Sequence, residues 1–442
     1  MTSRKRASLL IAAEVVAVSC SKIGPITGPA LAPGRADFSV VAALGSAITA
    51  GFQSGGLVSR HQTTSYASLF AAQVRAHSMD LPLIDGDGIP PLLELKHFYP
   101  PPIQIGPIST TLGNPTNVGL GTTYHNLAIP GARVQDVTDT THYQAAPRDT
   151  FFNVIQRKHG SLARQIATQL DPPPTFLLFE FGSSELLRPA LNGTIVGLTT
   201  VASFADSFRL ALDTLAALLP NAKLAVVNVP DVTQLPFFTT VSNKQLDANG
   251  KPVVDANGRT KFLLGPLFDS SGKPLPLSAS DQVLLSARSA VANGYGYPIG
   301  TFSYLSGSPV AGQGIGLTDA QVLSNSEVLT VQDRVNKFNA IIDTTSRSVT
   351  HPHDFAVVDL DGLLRRAKSP GIELRGVVYT TRFVTGGLIS LDGVHPNDLC
   401  HALLCNELIG AVNAKFGSNI QPLDPLKFAT PTSSGASASR SP

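Results

Sequence analysis

The sequence predicts an α/β fold built on a mostly parallel sheet, and two observations carry that prediction. Four short runs, residues 38–44, 175–181, 223–229 and 354–360, are apolar nearly throughout, as strands buried on both faces are. Stretches with helical spacing separate and follow them, at 65–77, 201–219, 328–345 and 399–416. Strands that alternate with helices pack as a parallel sheet with helices on its faces. The second helix shows the pattern most plainly. Phe204, Phe208, Leu212, Leu215 and Leu219 recur every three or four residues and form one apolar face, and Pro220-Asn221 ends it.

Composition narrows the class. The 442 residues carry 33 Lys+Arg against 31 Asp+Glu, a net charge of +2, with only 14% charged and 43% hydrophobic residues. A typical soluble domain has about 25% charged residues. So little charge excludes a basic nucleic-acid binder, and so much apolar surface excludes charge-driven disorder. Gly and Pro total 71 residues, which calls for long loops. Two stretches, 81–124 and 231–327, break the strand–helix alternation and read as insertions that cover or shape a site. The second holds Asp-Ala-Asn-Gly at 247–250 and again at 255–258. Asn-Gly is a strong tight-turn signal, and the ligand count falls short of a calcium loop.

The first 20 residues read as an address. Arg4, Lys5 and Arg6 precede a mostly apolar stretch at 7–18, then small Ser19 and Cys20, the pattern of a secretory signal. A cysteine after small residues also resembles the lipobox of bacterial lipoproteins, although Glu14 interrupts the apolar stretch and Ala17 stands where Leu is preferred. On this reading Cys20 is lipidated and tethers an exported protein to a membrane of the cell envelope or periplasm. Residues 21–36, rich in Pro and Gly, read as a linker, 37–420 as the folded domain, and 421–442 as a disordered tail. Residues 1–19 hold three basic residues and one acid, so the remaining chain has 30 of each and no net charge.

The remaining cysteines and histidines offer no metal or cofactor site. Cys400 and Cys405 lie five apart in one predicted helix, on different faces, which reads as two buried small side chains rather than a disulfide. His351 and His353 flank Pro352 in what reads as a surface loop. The signatures G-x-S-x-G, H-E-x-x-H and the P-loop are absent.

Four blocks carry the chemistry, each at a predicted strand end or before the last helix. They are Gly45-Ser46-Ala47-Ile48-Thr49-Ala50-Gly51, Asn126-Leu127-Ala128-Ile129-Pro130-Gly131-Ala132, Gly182-Ser183-Ser184-Glu185 and Asp392-Gly393-Val394-His395-Pro396. Their order and wording resemble the SGNH, or GDSL-type, hydrolases over about residues 37–417, and Asn228-Val229-Pro230-Asp231-Val232 is similar to a bacterial branch of that family. The resemblance implies a three-layer α/β/α sandwich of the SGNH/flavodoxin-like kind with about five strands, and ester hydrolysis of small acyl or carbohydrate esters without a cofactor. It implies His395 as general base and Asp392 as the group that orients it. It implies an oxyanion hole from the Gly131 backbone, position 184 and the backbone of position 47.

Four positions depart from the family's wording. Ala47 stands at the nucleophile serine, Ser46 at an Asp or Asn, and Ser184 at the Asn that donates to the oxyanion. Glu185 stands where the family has Asp. Ser46 is one residue away on a tight turn and is expected to point elsewhere. Loss of a triad nucleophile costs on the order of 10⁶ in kcat in a serine protease. The chain is therefore expected to be a poor ester hydrolase. The other readings are a pseudoenzyme that binds acyl or ester ligands, a chain that acts through an activated water on Asp392 and His395, and a structural envelope lipoprotein.

Overall fold

A computed structural model of the chain describes residues 31–97, 103–141, 150–157, 160–301, 311–348 and 354–429. The signal segment with Cys20, His351 and His353, and the chain beyond 429 lie outside the described residues.

Four strands form the central sheet: β1 (Val41–Gly45), β2 (Phe176–Glu180), β3 (Lys223–Val227) and β4 (Phe355–Val358). They lie in that order and run parallel throughout, with Val41 opposite Phe176, Phe176 opposite Lys223 and Leu224 opposite Phe355. All residues of β1 and β2 are buried, which is why these runs are apolar rather than alternating.

The expectation of five strands needs a correction. The fifth place, beyond β1, is taken by the segment 125–129, which forms no named strand. Ala43 N–H donates to the His125 carbonyl at 2.8 Å, and Leu127 and Ile129 N–H donate to Ala43 and Gly45 at 2.9 and 3.0 Å. Asn126 is the residue that pairs with Ala43. Its side-chain oxygen takes the Ala128 N–H at 2.9 Å and its amide donates to the Thr49 carbonyl at 2.9 Å.

The helices that matter below are α1 (Ala47–Ala50), α2 (Tyr66–Gln73), α3 (Leu162–Thr168), α4 (Ser183–Ala190), α5 (Val201–Leu218), α6 (Asn325–Ser346), α7 (Leu360–Lys368) and α8 (Asp398–Phe416). α8 packs on α2, α7 and β4, while α5 packs on α3 and α6, so the helices form two layers around the sheet. The apolar stripe of α5 is buried as its spacing requires, and Phe204 stacks on Phe338 of α6 at 3.9 Å between ring centres. Helix starts are capped. Thr200 and Asn397 accept from Ser203 and Cys400 N–H, and Ser324 exchanges bonds with Glu327 at the start of α6. Such caps contribute about 1 kcal/mol each.

Both edges of the domain extend past the predicted boundaries. Residues 31–36, expected as linker, lie against the end of α8: Ala36 is buried, Ala32 N–H donates to Asn419 Oδ1 and Arg35 N–H to the Phe416 carbonyl. Residues 421–429, expected as tail, continue the fold through a 3₁₀ turn at Pro425–Phe428. Leu423 N–H donates to Asn406 Oδ1 of α8, and Leu423 and Phe428 rest on the core. Apolar residues inside these otherwise unpatterned segments are what anchor them.

The two insertions have their own order. Stretch 81–124 forms two short antiparallel pairs, Ile84–Asp85 with Asn114–Pro115 and Leu93–His97 with Gln104–Pro107. Stretch 231–327 builds a second apolar cluster around Leu263, Val283, Tyr297 and Leu317. Its Asp-Ala-Asn-Gly sites are turns. Asp247 Oδ1 accepts from Asn249 and Lys251 N–H, and Asp255 Oδ1 from Asn257 and Arg259 N–H. Asp269 repeats the device, taking Ser271 and Lys273 N–H.

Candidate active site

Open parallel sheets bind ligands beyond the carboxyl ends of their strands. The four blocks meet there. β1 runs out at Gly45, Ser46 is extended as the cap of α1, and Ala47 is the first helical residue. β2 runs out at Glu180, and Gly182 turns the chain into α4 at φ 115°. A Cβ at Gly182 would lie 2.3 Å from Val229 Cγ2, so only glycine fits. The segment beside β1 ends at Pro130 and Gly131, the latter at φ 87° with open space where a Cβ would be.

Direct bonds tie the blocks together. Val134 N–H donates to Glu185 Oε1 at 2.6 Å, joining the second block to the third. Ile129 N–H and the Asn126 amide join the second to the first. Gly55 N–H donates to Asp392 Oδ2 at 3.0 Å and Ser54 N–H to Ser390 Oγ at 2.8 Å, joining the first to the last. The Phe52 and His395 rings meet edge to face at 4.8 Å. Each block presents one open position at the strand ends. Ala47, Gly131, Ser184 and His395 are each exposed or half-buried, and both chain neighbours of each are buried.

The base side is tightly held. His395 Nδ1 lies 2.9 Å from Asp392 Oδ2, with both side chains about one-eighth exposed. Asp392 Oδ1 accepts from Val394 N–H, His395 N–H and Ser390 Oγ at 2.8–3.0 Å. Burial pushes the Asp392 carboxyl up. The His395 charge, its ring N–H and these backbone donors outweigh that and bring it down to about 2. The carboxylate is therefore ionised and aimed at one imidazole nitrogen, which leaves the other nitrogen as the basic one.

The opposite side differs. Ser46 is buried and turned inward. Its Oγ lies 3.0 and 2.9 Å from the two oxygens of Glu180, and its N–H donates to Oε2 at 3.0 Å. Position 47 carries only a methyl group. Ser184 lies in the first turn of α4, while the neighbouring Glu185 Oε2 takes the Gly182 N–H at 2.9 Å. Burial raises the Glu185 carboxyl to about 7, against the Val134 N–H that opposes it.

Glu180 is the buried acid beneath the first block that sequence reasoning passed over. The signal was available: it is the one acid in the otherwise apolar run 175–181. A second His–Asp pair was also missed. His61 Nδ1 lies 3.0 Å from Asp398, which also accepts from Gln53 Nε2 and Thr64 Oγ1 at 2.7 and 2.5 Å. Cys400 and Cys405 are free and buried. Among the described residues, no three His, Cys, Asp or Glu side chains come together to hold a metal, and no helix is long and apolar enough to cross a membrane.

The profile of GDSL-like Lipase/Acylhydrolase matches residues 41–408, from the start of β1 well into α8. The chain belongs to that family. Among solved structures, it is similar to a GDSL-like lipase from Parabacteroides merdae at 12% identity and a TM-score of 0.34, covering 86% of this chain and 98% of that one. It is also similar to an extracellular lipase from Streptomyces rimosus at 13% identity and a TM-score of 0.30, covering 88% and 99%. No curated protein matches it. In this GDSL-family chain the strand ends carry Ala47, Gly131, Ser184 and the loop Asp392-Gly393-Val394-His395.

Proposed function

We propose that this chain binds small acyl or carbohydrate esters in the cleft at the strand ends, and that it hydrolyses them far more slowly than its family does. The observation behind this reading is that each of the four blocks leaves one residue open between buried neighbours, Ala47, Gly131, Ser184 and His395, with a methyl group where the nucleophile belongs. An ester carbonyl beside Gly131 N–H, Ala47 N–H and Ser184 would meet oxyanion donors. His395, oriented by Asp392, would meet the attacking oxygen. The methyl group at position 47 can form no acyl-enzyme, so the nucleophilic step of the family's chemistry is missing. Any hydrolysis that remains falls to a water activated by His395, and the cleft serves chiefly to bind.

The test is turnover of p-nitrophenyl butyrate by the unaltered chain, by Ala47→Ser, and by Ala47→Ser with Ser184→Asn. The expected result is near-background turnover in the first and a large gain in the second and third. Background rates in both revertants would sink the ester reading, and a full serine-hydrolase rate in the unaltered chain would sink the argument about Ala47. The N-terminal pattern supports export and tethering through Cys20. Mass spectrometry of the mature N-terminus tests this part, because lipidation adds acyl mass at Cys20 and Cys20→Ala abolishes it.

A further inference from the structure

We propose that Glu180, acting through Ser46 and Thr49, is the positioning residue for the turn that carries position 47. This rests on the reading of the cleft as an ester site. Glu180 is the last residue of β2, fully buried, in a strand otherwise of Phe and Leu. Its carboxylate accepts from Ser46 N–H, from Ser46 Oγ, from Thr49 Oγ1 at 3.2 Å and from Ser183 Oγ at 3.4 Å. Thr49 Oγ1 is itself 2.8 Å from the Tyr66 hydroxyl of α2. One carboxylate thus grips the start of α1 from beneath and reaches the first residue of α4. Position 47 lies between the two gripped residues, 46 and 49, so its N–H and side chain are aimed from below by a group that never enters the cleft.

Short polar side chains at 46 and 49 belong with the long acid at 180. An aspartate at 46 would place a second carboxylate within about 3 Å of the first, where two buried like charges cannot both ionise. Burial already pushes Glu180 upward, and the donors from Ser46 and Thr49 oppose that rise.

The experiment uses the full chain and two readouts. The first is amide hydrogen exchange of residues 46–50 in the unaltered chain, Glu180→Gln and Glu180→Leu. Gln keeps an oxygen for the Ser46 N–H, so protection stays close to native. Leu lowers protection there at least about tenfold, the loss of the hydrogen bond from the Ser46 N–H, while β3 and β4 stay native. The second is kcat and KM on p-nitrophenyl butyrate in the Ala47→Ser background. Glu180→Leu lowers kcat about 100-fold, the cost of a small misplacement, with KM nearly unchanged, and Glu180→Gln restores most of it. Ser46→Asp lowers kcat and makes it depend on pH, and Glu180→Gln removes that dependence. Native protection at 46–50 in Glu180→Leu overturns the proposal, as does protection lost equally across the sheet. If Ala47→Ser shows no turnover, the ester reading fails, and hydrogen exchange still decides the role of Glu180.

Discussion

The two sides of the cleft are built by opposite means. On the base side, Asp392 and His395 reach the cleft themselves, and Asp392 is held by backbone and hydroxyl donors from Gly55, Ser390, Val394 and His395. On the side proposed for the nucleophile, Ala47 and Ser184 present only a methyl and a hydroxyl, while the buried acids behind them, Glu180 and Glu185, accept bonds from both neighbouring blocks. Supporting residues and reacting residues are therefore separable. The frame does not need the nucleophile hydroxyl to hold its shape, because none of the bonds that join the four blocks passes through the side chain of position 47.

Restoring the hydroxyl is the sharpest challenge to that contrast. Ala47→Ser is expected to raise ester turnover by up to about 10⁶, the scale of a triad nucleophile's contribution. No gain would mean that the nucleophile side had lost its geometry as well as its hydroxyl. Next in size, Asp392→Asn in the Ala47→Ser background is expected to cost about 10⁴ in kcat, as misorientation of the base does elsewhere. An unchanged rate would show that the base side is not the working half. Adding Ser184→Asn to Ala47→Ser should gain about 10²–10³, one oxyanion donor's worth, with the change confined to kcat. A fall in rate would show that Ser184 already donates well.

The smallest effect is on stability. Asp392 titrates lower in the folded chain, at about 2, than its ordinary 3.8, so its contribution is complete above about pH 5 and is lost as pH falls through about 2. It amounts to about 2–3 kcal/mol. Glu185 has the opposite sign. Its carboxyl is raised from 4.5 to about 7, so the fold binds a proton that the unfolded chain releases, and stability declines as pH rises from about 4.5 to 7. Urea unfolding across pH 2–8 should therefore show a maximum at mildly acid pH. Asp392→Asn should flatten the acid limb and Glu185→Gln the other. A curve unchanged by both substitutions would mean that neither carboxyl is shifted in the fold.

Much of this was legible because it is local. Three of the four sheet strands lie within the predicted apolar runs and β1 overruns its run by Gly45 alone, since burial on both faces leaves little other composition. The long helices α5, α6 and α8 follow their apolar spacing closely. The blocks were readable because each is a short contiguous stretch. What escaped was pairing across sequence distance. Ser46 and Glu180 are 134 residues apart, and the sequence marks one as a turn serine and the other as an odd acid in a strand. The fifth place, beside β1, is filled by the segment 125–129, whose hydrogen bonds to β1 are too few to make a strand. The edges at 31–36 and 421–429 looked like tether and tail because their anchoring contacts are made to α8, far along the chain.

The packing of residues 31–36 against the last turn of α8 also fixes an orientation. That contact lies at the end of the sheet where the strands begin, and the cleft lies where they finish. Five residues of β1 separate the two levels by roughly 16 Å. A partner joined at residue 31 would therefore meet the domain at the end of the sheet opposite the cleft.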